Sequence, residues 1–151
     1  MTRQTATART ARSSSGMTAG IVIAAVLSVA LNTAVAEIAR AAGASSDFAP
    51  LHLQTYTPWT VLGVLAGFVG WAVVRARACR PRRLMRMLVP TVVSNSWTPD
   101  FILGFNGGLD GTSWGAVSAL MIMHVVVGAV VVTICIRLLP LPADQPSRNG
   151  R

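Results

Sequence analysis

Charge is scarce in this 151-residue chain, and basic residues outnumber acidic ones by 13 to 5. Charged residues make up 12% of the sequence, whereas about 25% is usual in a soluble domain. Apolar residues make up 52%, so the chain lacks the polar surface needed to face water on every side. The composition therefore indicates one domain whose natural solvent is largely lipid.

Lysine is absent, and all thirteen basic residues are arginines, which gives a net charge of +8. A charge of this size often indicates nucleic-acid binding. Here the arginines are concentrated in short gaps between apolar runs, and no aromatic residues alternate with them to stack on bases. We therefore predict that the chain has no nucleic-acid partner.

Residue sets that carry catalysis or bind metals are also missing. Cys79 and Cys135 are isolated and form no CxxC, so they suit neither a zinc site nor a redox relay, and we predict free thiols. The sequence contains no paired carboxylates, no glycine-rich phosphate loop and no nucleophile beside a base. We expect no enzyme activity, no metal and no other cofactor.

Apolar runs divide the chain into four predicted membrane spans, because about twenty apolar residues cross a bilayer. They form one all-α domain over residues 17–140, a four-helix transmembrane bundle. A basic tail at residues 1–16 is predicted to be disordered, because it has no large apolar residue after Met1, and residues 141–151 form a polar tail. The predicted spans are residues 18–42, 58–76, 84–105 and 114–139.

The first span permits a second interpretation. A basic segment, an apolar run and Ala34-Val35-Ala36 before Glu37 also fit a cleaved signal peptide. A retained helix is favoured by the length of the run and by the polar Asn32 within it. Both interpretations stay open, as does Met17 as an alternative start.

The third span is kinked and partly polar in our prediction. Pro90 interrupts its apolar run, and Ser94, Asn95 and Ser96 follow. Lipid excludes polar groups from an exposed helix face, so we predict that these three side chains point toward other helices. The alternative is a helix that ends early and continues along the membrane interface.

Arginine positions predict the topology. The N-terminal tail holds three, the C-terminal end holds three (Arg137, Arg148 and Arg151), and the two remaining loops hold only Arg40. Basic segments lie on the cytoplasmic side, and four spans place all of them there. We therefore expect a plasma-membrane protein with both termini in the cytoplasm, anchored to anionic headgroups by the central hairpin. That hairpin, here called the basic hairpin, contains Arg75, Arg77, Arg80, Arg82, Arg83 and Arg86.

Small residues recur at helical spacing in the first two spans. Gly20, Ala24 and Ser28 lie four residues apart, and Gly63 and Gly67 form a GxxxG. Small side chains let neighbouring helices approach closely. We assign these residues to helix packing. For the GxxxG, we expect packing within one chain rather than between two chains.

Three stretches resemble a known family. They are Gly67–Trp71 with the basic hairpin that follows, the Pro- and Ser-containing third span, and Ala119-Leu-Met-Ile-Met-His-Val-Val-Val-Gly128. Together they resemble the small four-helix membrane proteins of actinobacteria that are grouped only as a domain of unknown function. The resemblance covers about residues 60–138 and implies four spans and no assigned activity. This chain departs from the family pattern in its longer loop at residues 95–113.

Few polar side chains lie inside the predicted spans. His124 is about ten residues into the last span, where an ionisable group is a candidate for function, although a neutral hydrogen-bonded imidazole is the simpler interpretation. Asn32 has a similar depth, and we predict an Asn32–His124 pair. Glu37 and Arg40, three residues apart on one helix turn, are predicted to pair.

Two functions follow from these features. The first is association, either with a second copy or with another membrane protein, because small-residue stripes are present and catalytic sets are missing. The second is a small transporter or permeability element with a polar path through His124, Asn32 and Glu37.

Overall fold

A computed structural model describes residues 3–142, and the side-chain surroundings of residues 16–142. This range is all-α, with one 3-10 turn, Ala49–Leu51, between the first two helices. The predicted C-terminal tail, including Arg148 and Arg151, lies outside the described residues. The helices are α1 Arg3–Ala41, α2 Leu53–Arg77, α3 Pro81–Ser96, α4 Thr98–Asn106 and α5 Trp114–Leu138.

In the described range, three helices are long and apolar enough to cross a membrane: Gly16–Ala41 of α1, all of α2 and all of α5. Each has 25 or 26 residues, which reach about 38 Å at about 1.5 Å per residue. That length exceeds the hydrocarbon thickness of about 30 Å. The prediction of three of the four spans therefore holds by length and composition.

Two helix starts differ from the prediction. α2 begins at Leu53 rather than Pro58, because the N–H groups of Thr55 and Tyr56 already bond to the His52 carbonyl. α1 begins at Arg3, so the structure continues this helix through most of the tail for which we predict disorder. Residues 3–15 contain neither proline nor glycine, and the backbone can therefore extend the helix beyond its apolar part.

Contacts between helices show their relative directions. α1 and α2 run antiparallel, since Asn32 bonds to Thr60 while Thr33 bonds to Tyr56. α1 and α5 are also antiparallel, because Gly20, near the start of the apolar part of α1, lies against Leu138 at the end of α5. The described start of the apolar part of α1 and the end of α5 therefore lie at the same end of the bundle.

The segment predicted as the third span is two helices, α3 and α4, that meet at Trp97. The structure passes through Pro90 without a break and ends α3 at Ser96 instead. Pro99 lies just beyond this point and cannot donate the N–H that would continue the ladder of α3. Neither helix alone has the length of a span, with 16 and 9 residues.

α3 and α4 run antiparallel to α5 along most of its length. Val93 lies against Gly128, and the Trp97 indole donates to the Met121 carbonyl at 3.1 Å. At the far end, Gly104 lies against the Trp114 ring. The α3–α4 segment therefore lies along α5 from Gly128, just past the middle of α5, to Trp114, the first residue of α5.

Ser94 and Asn95 do not point toward other helices, contrary to the prediction. Both are exposed, while Val93 packs on α5 and Ser96 is half-buried with its hydroxyl bonded to the Val93 carbonyl. Successive helix residues are turned by about 100°, so the residues that follow an inward-facing valine face outward.

Small residues form the buried face of α1. The described positions of this stripe are all buried, and they contact α2 and α5. Larger side chains fill two clusters, one around Phe68 and Trp71 and one around Phe48 and Tyr56. The stripe consists of Gly20, Ala24, Ser28, Asn32 and Ala36.

The GxxxG of α2 packs against α5 of the same chain. A Cβ added at Gly67 would lie 2.8 Å from Cγ1 of Val131, whereas one added at Gly63 would lie 3.5 Å from Val127. The matching spacing of the two contacts shows that α2 and α5 run parallel. Of the α2 glycines, Gly67 therefore lies closest to α5.

We expect Gly67→Ala to destabilise the chain by about 1–3 kcal/mol, because buried Val131 is stiff at χ1 and cannot move away. Gly70→Ala is the matched control: no atom lies within 4 Å of its added Cβ, so helix propensity leaves it neutral or slightly stabilised. Thermal unfolding of the purified chain in detergent measures both. Equal losses in the two variants would contradict the close approach at Gly67.

Candidate functional site

The most deeply placed ionisable pair joins α4 to α5. Nε2 of His124 lies 3.2 Å from Oδ2 of Asp100. Asp100 is 7% exposed, and the His124 side chain is 41% exposed. The oxygen accepts no well-aligned hydrogen bond, so the contact rests on distance alone, and it is an ion pair when His124 is protonated. Asp100 lies in the first turn of α4, where the helix dipole favours a carboxylate.

Asp100 is the site residue that our sequence prediction misses. It lies within the predicted third span, after Trp97–Pro99, and our sequence analysis assigns it no role. A carboxylate inside a predicted span is itself a signal of function, and that signal was present in the sequence. Its partner was not predictable, because the break at Trp97 decides which way Asp100 faces.

The predicted Asn32–His124 pair is not formed. Asn32 instead donates from Nδ2 to the Thr60 hydroxyl at 3.0 Å, between α1 and α2. Its Oδ1 is buried and accepts no hydrogen bond within the part of the chain that the structure describes. Asn32 and His124 nevertheless line the same groove between α2, α3 and α5, here called the α2–α3 groove.

Glu37 and Arg40 form the pair that their spacing predicts, near the end of α1. Arg40 also donates from Nη2 to the Leu51 carbonyl at 2.6 Å, which connects α1 to the 3-10 turn. Glu37 is 64% exposed and does not line the α2–α3 groove. The three residues of the predicted polar path therefore do not join, and this pair stabilises a loop.

An exposed polar face lies on the outside of α3 and at the start of α4. Its members are turned away from both α5 and the α2–α3 groove. The Thr91 hydroxyl bonds to the Met87 carbonyl in its own helix. We call this set the outer polar face; it consists of Thr91, Ser94, Asn95 and Thr98.

The six arginines of the basic hairpin are all exposed, at the end of α2 and the start of α3. Arg75 and Arg77 suit the C-terminal end of a helix, where the dipole favours cations. Arg82 and Arg83 occupy the first turn of α3, where the same dipole disfavours them. The position of Arg82 and Arg83 therefore does not stabilise α3, and their charges face outward.

Among the described residues, no group of three His, Cys, Asp or Glu side chains is placed to hold a metal ion. Cys79 is exposed in the basic hairpin, Cys135 is buried in α5, and both are free thiols. The described site thus consists of one acid–histidine pair, one buried amide and an exposed polar face.

The described residues form an all-α protein with three helices able to cross a membrane. Polar groups lie between its helices and on their exposed surface. Residues 12–140 match the family of unknown function designated DUF6069, and the chain belongs to that family. None of the functionally described proteins and none of the solved structures compared with the chain matches it. The family has no assigned activity.

Proposed function

We propose that the chain is a four-span protein of the plasma membrane, with both termini in the cytoplasm, that functions by associating with a second copy of itself and has no catalytic activity. The fourth span is the broken segment α3–α4. It runs antiparallel along α5, and its 16 and 9 residues reach about 38 Å together. If α5 crosses the membrane, the segment beside it crosses as well.

The distribution of arginine supports the orientation. The basic hairpin lies at the turn between α2 and α3, and Arg137 lies at the end of α5. α2 and α5 run parallel, so both features are at one end of the bundle. Arg40 is the one arginine of the described range at the other end, and it is paired with Glu37. The positive-inside tendency then places the basic end in the cytoplasm.

The exposure of Ser94 and Asn95 carries the proposal of association. The Val93–Gly128 and Trp97–Met121 contacts place these two side chains beside the middle of α5. In a bilayer this is the level of the hydrocarbon core, where an exposed amide without a partner is costly. Neither side chain bonds to another residue in the described part of the chain.

A second copy is the partner that best suits this face. An asparagine amide has both donor N–H groups and an acceptor oxygen, so an identical amide completes it. A two-fold interface would pair Asn95 with Asn95 of the partner subunit. Exposed Met87 beside the outer polar face supplies apolar contact area. The GxxxG of α2 is not available for this purpose, because α5 already occupies it.

We expect Asn95→Leu to weaken the dimer about 3- to 30-fold, the range that corresponds to an interhelical polar contact in a membrane of about 0.6–2 kcal/mol. Förster transfer between labelled chains in lipid vesicles, titrated over protein-to-lipid ratio, measures the dissociation constant. Thr133→Leu is the control, since Thr133 is exposed on α5 and its hydroxyl bonds to the Ala129 carbonyl.

An Asn95→Leu dimer as tight as the wild type would contradict this interface. A wild-type chain that stays monomeric at every ratio would overturn self-association and leave a different membrane protein as the partner. Proton-coupled flux through reconstituted wild-type chain would instead favour the transport function, for which the separated positions of Asn32, His124 and Glu37 offer less support.

A further inference from the structure

We infer that the α2–α3 groove binds a lipid-soluble molecule that has an apolar body and one hydroxyl group. The groove has a volume of about 380 Å³ and lies between α2 and α3, with α5 as its floor. This is within the usual range for small-molecule sites, roughly 300–1,000 Å³. None of the four residues of the outer polar face lines the groove, so the inference does not depend on self-association.

The groove exists because one face of α2 has almost no side chains. Gly63, Ala66, Gly67 and Gly70 line it at helical spacing. At Gly70 no atom lies within 4 Å of an added Cβ, so the space beside it is open. Leu88, Val89 and Val92 of α3 form the opposite wall. These walls offer a ligand only apolar contact.

Hydroxyl, amide and imidazole groups are confined to a part of the lining formed by α1, the first half of α2, the end of α3 and the middle of α5. Asn32 is 1% exposed and lines the groove, while its Nδ2 is committed to Thr60. Its Oδ1 accepts no hydrogen bond from the described residues. A buried acceptor without a donor is unfavourable, and a donor from a ligand would remove that penalty.

The unpaired Oδ1 of Asn32 determines which class of ligand the groove favours. A saturated acyl chain from the bilayer can fill the apolar part of the groove, but it cannot donate to Asn32. An alcohol or a phenol can, and its oxygen then lies at the same end as His124 and Ser96, which also line the groove. Ketones and ethers lack the donor and should bind less well.

Photolabelling tests the inference with the full chain reconstituted in phosphatidylcholine vesicles. The probe is a C16 primary alcohol that carries a diazirine and an alkyne, and its methyl ether is the matched comparison. We expect the alcohol to label residues of α2 and α3 in the groove about fivefold more than the ether, the ratio given by one ordinary hydrogen bond.

Two variants separate the apolar and polar parts of the site. Gly70→Leu should remove most labelling by both probes, because the new side chain occupies open space in the groove and Asn32 itself is unchanged. Asn32→Ala should lower alcohol labelling to the level of the ether. Ala72→Leu, exposed on α2 outside the groove, is the control and should label like the wild type.

Circular dichroism and gel filtration establish that each variant is folded. Equal labelling of the wild type by alcohol and ether would overturn the inference and show only a lipid-filled groove. Labelling in the Gly70→Leu variant that equals the wild type would also overturn it, because the label would then lie elsewhere on the chain.

Discussion

His124→Leu should destabilise the chain by about 1–3 kcal/mol, the range for leaving a buried polar group without its partner. The variant leaves Asp100, which is 7% exposed, without the only ion-pair partner the structure gives it. A carboxylate in this position can neither reach water nor bond to the lipid chains. The helix dipole at the start of α4 offsets only part of that penalty.

The reverse substitution should be milder. Asp100→Leu leaves an imidazole that is already partly exposed, so no buried polar group loses its partner. The double variant, with both residues replaced by leucine, should recover most of the stability lost in His124→Leu, since a well-packed apolar pair often replaces a buried ion pair without loss. Unfolding by increasing sodium dodecyl sulfate in mixed micelles measures all three variants.

Additive losses of stability in the double variant would contradict an interaction between Asp100 and His124. If the double variant loses as much as the sum of the two single variants, Asp100 and His124 do not interact energetically. Asp100→Leu as harmful as His124→Leu would mean that the two side chains act through packing rather than charge. Non-additive losses of stability, in variants that still fold, would support a structural role for the pair.

Neutralising the basic hairpin should invert or mix the orientation of the chain. We expect that replacing Arg80, Arg82, Arg83 and Arg86 by glutamine removes about 1 kcal/mol of inward bias per residue. Cys79 reports the result, because it lies exposed in the same hairpin, whereas Cys135 is buried. A membrane-impermeant maleimide should label wild-type Cys79 in inverted vesicles and not in intact cells.

The quadruple variant should gain labelling in intact cells, in a fraction that equals its inverted population. Arg40→Gln is the matched control: it removes an arginine from the opposite end of the bundle and should leave labelling unchanged. Cys79→Ser gives the background. Wild-type labelling in intact cells would reverse the proposed orientation, and unchanged labelling in the quadruple variant would show that the terminal arginines suffice.

Some of the structure follows from sequence alone, because it depends on properties local to one helix. Length and apolarity predict the three spans of α1, α2 and α5. The spacing of Gly20, Ala24, Ser28 and Asn32 predicts which face of α1 is buried, since residues four apart share a helix face. The arginines of the basic hairpin are exposed for an equally local reason: a charged group has no favourable buried position in a chain with so few acids.

Other features were decided only by tertiary structure, because they depend on how the helices are aligned with one another. The outward direction of Ser94 and Asn95 and the contact of Asp100 with His124 both follow from how α3 and α4 lie on α5. Asn32 bonds to Thr60 rather than to His124 for the same reason. Residue spacing determines the face on which a side chain lies, whereas its partner depends on the translation and rotation of the neighbouring helix, and these are set by the packing of all the helices together.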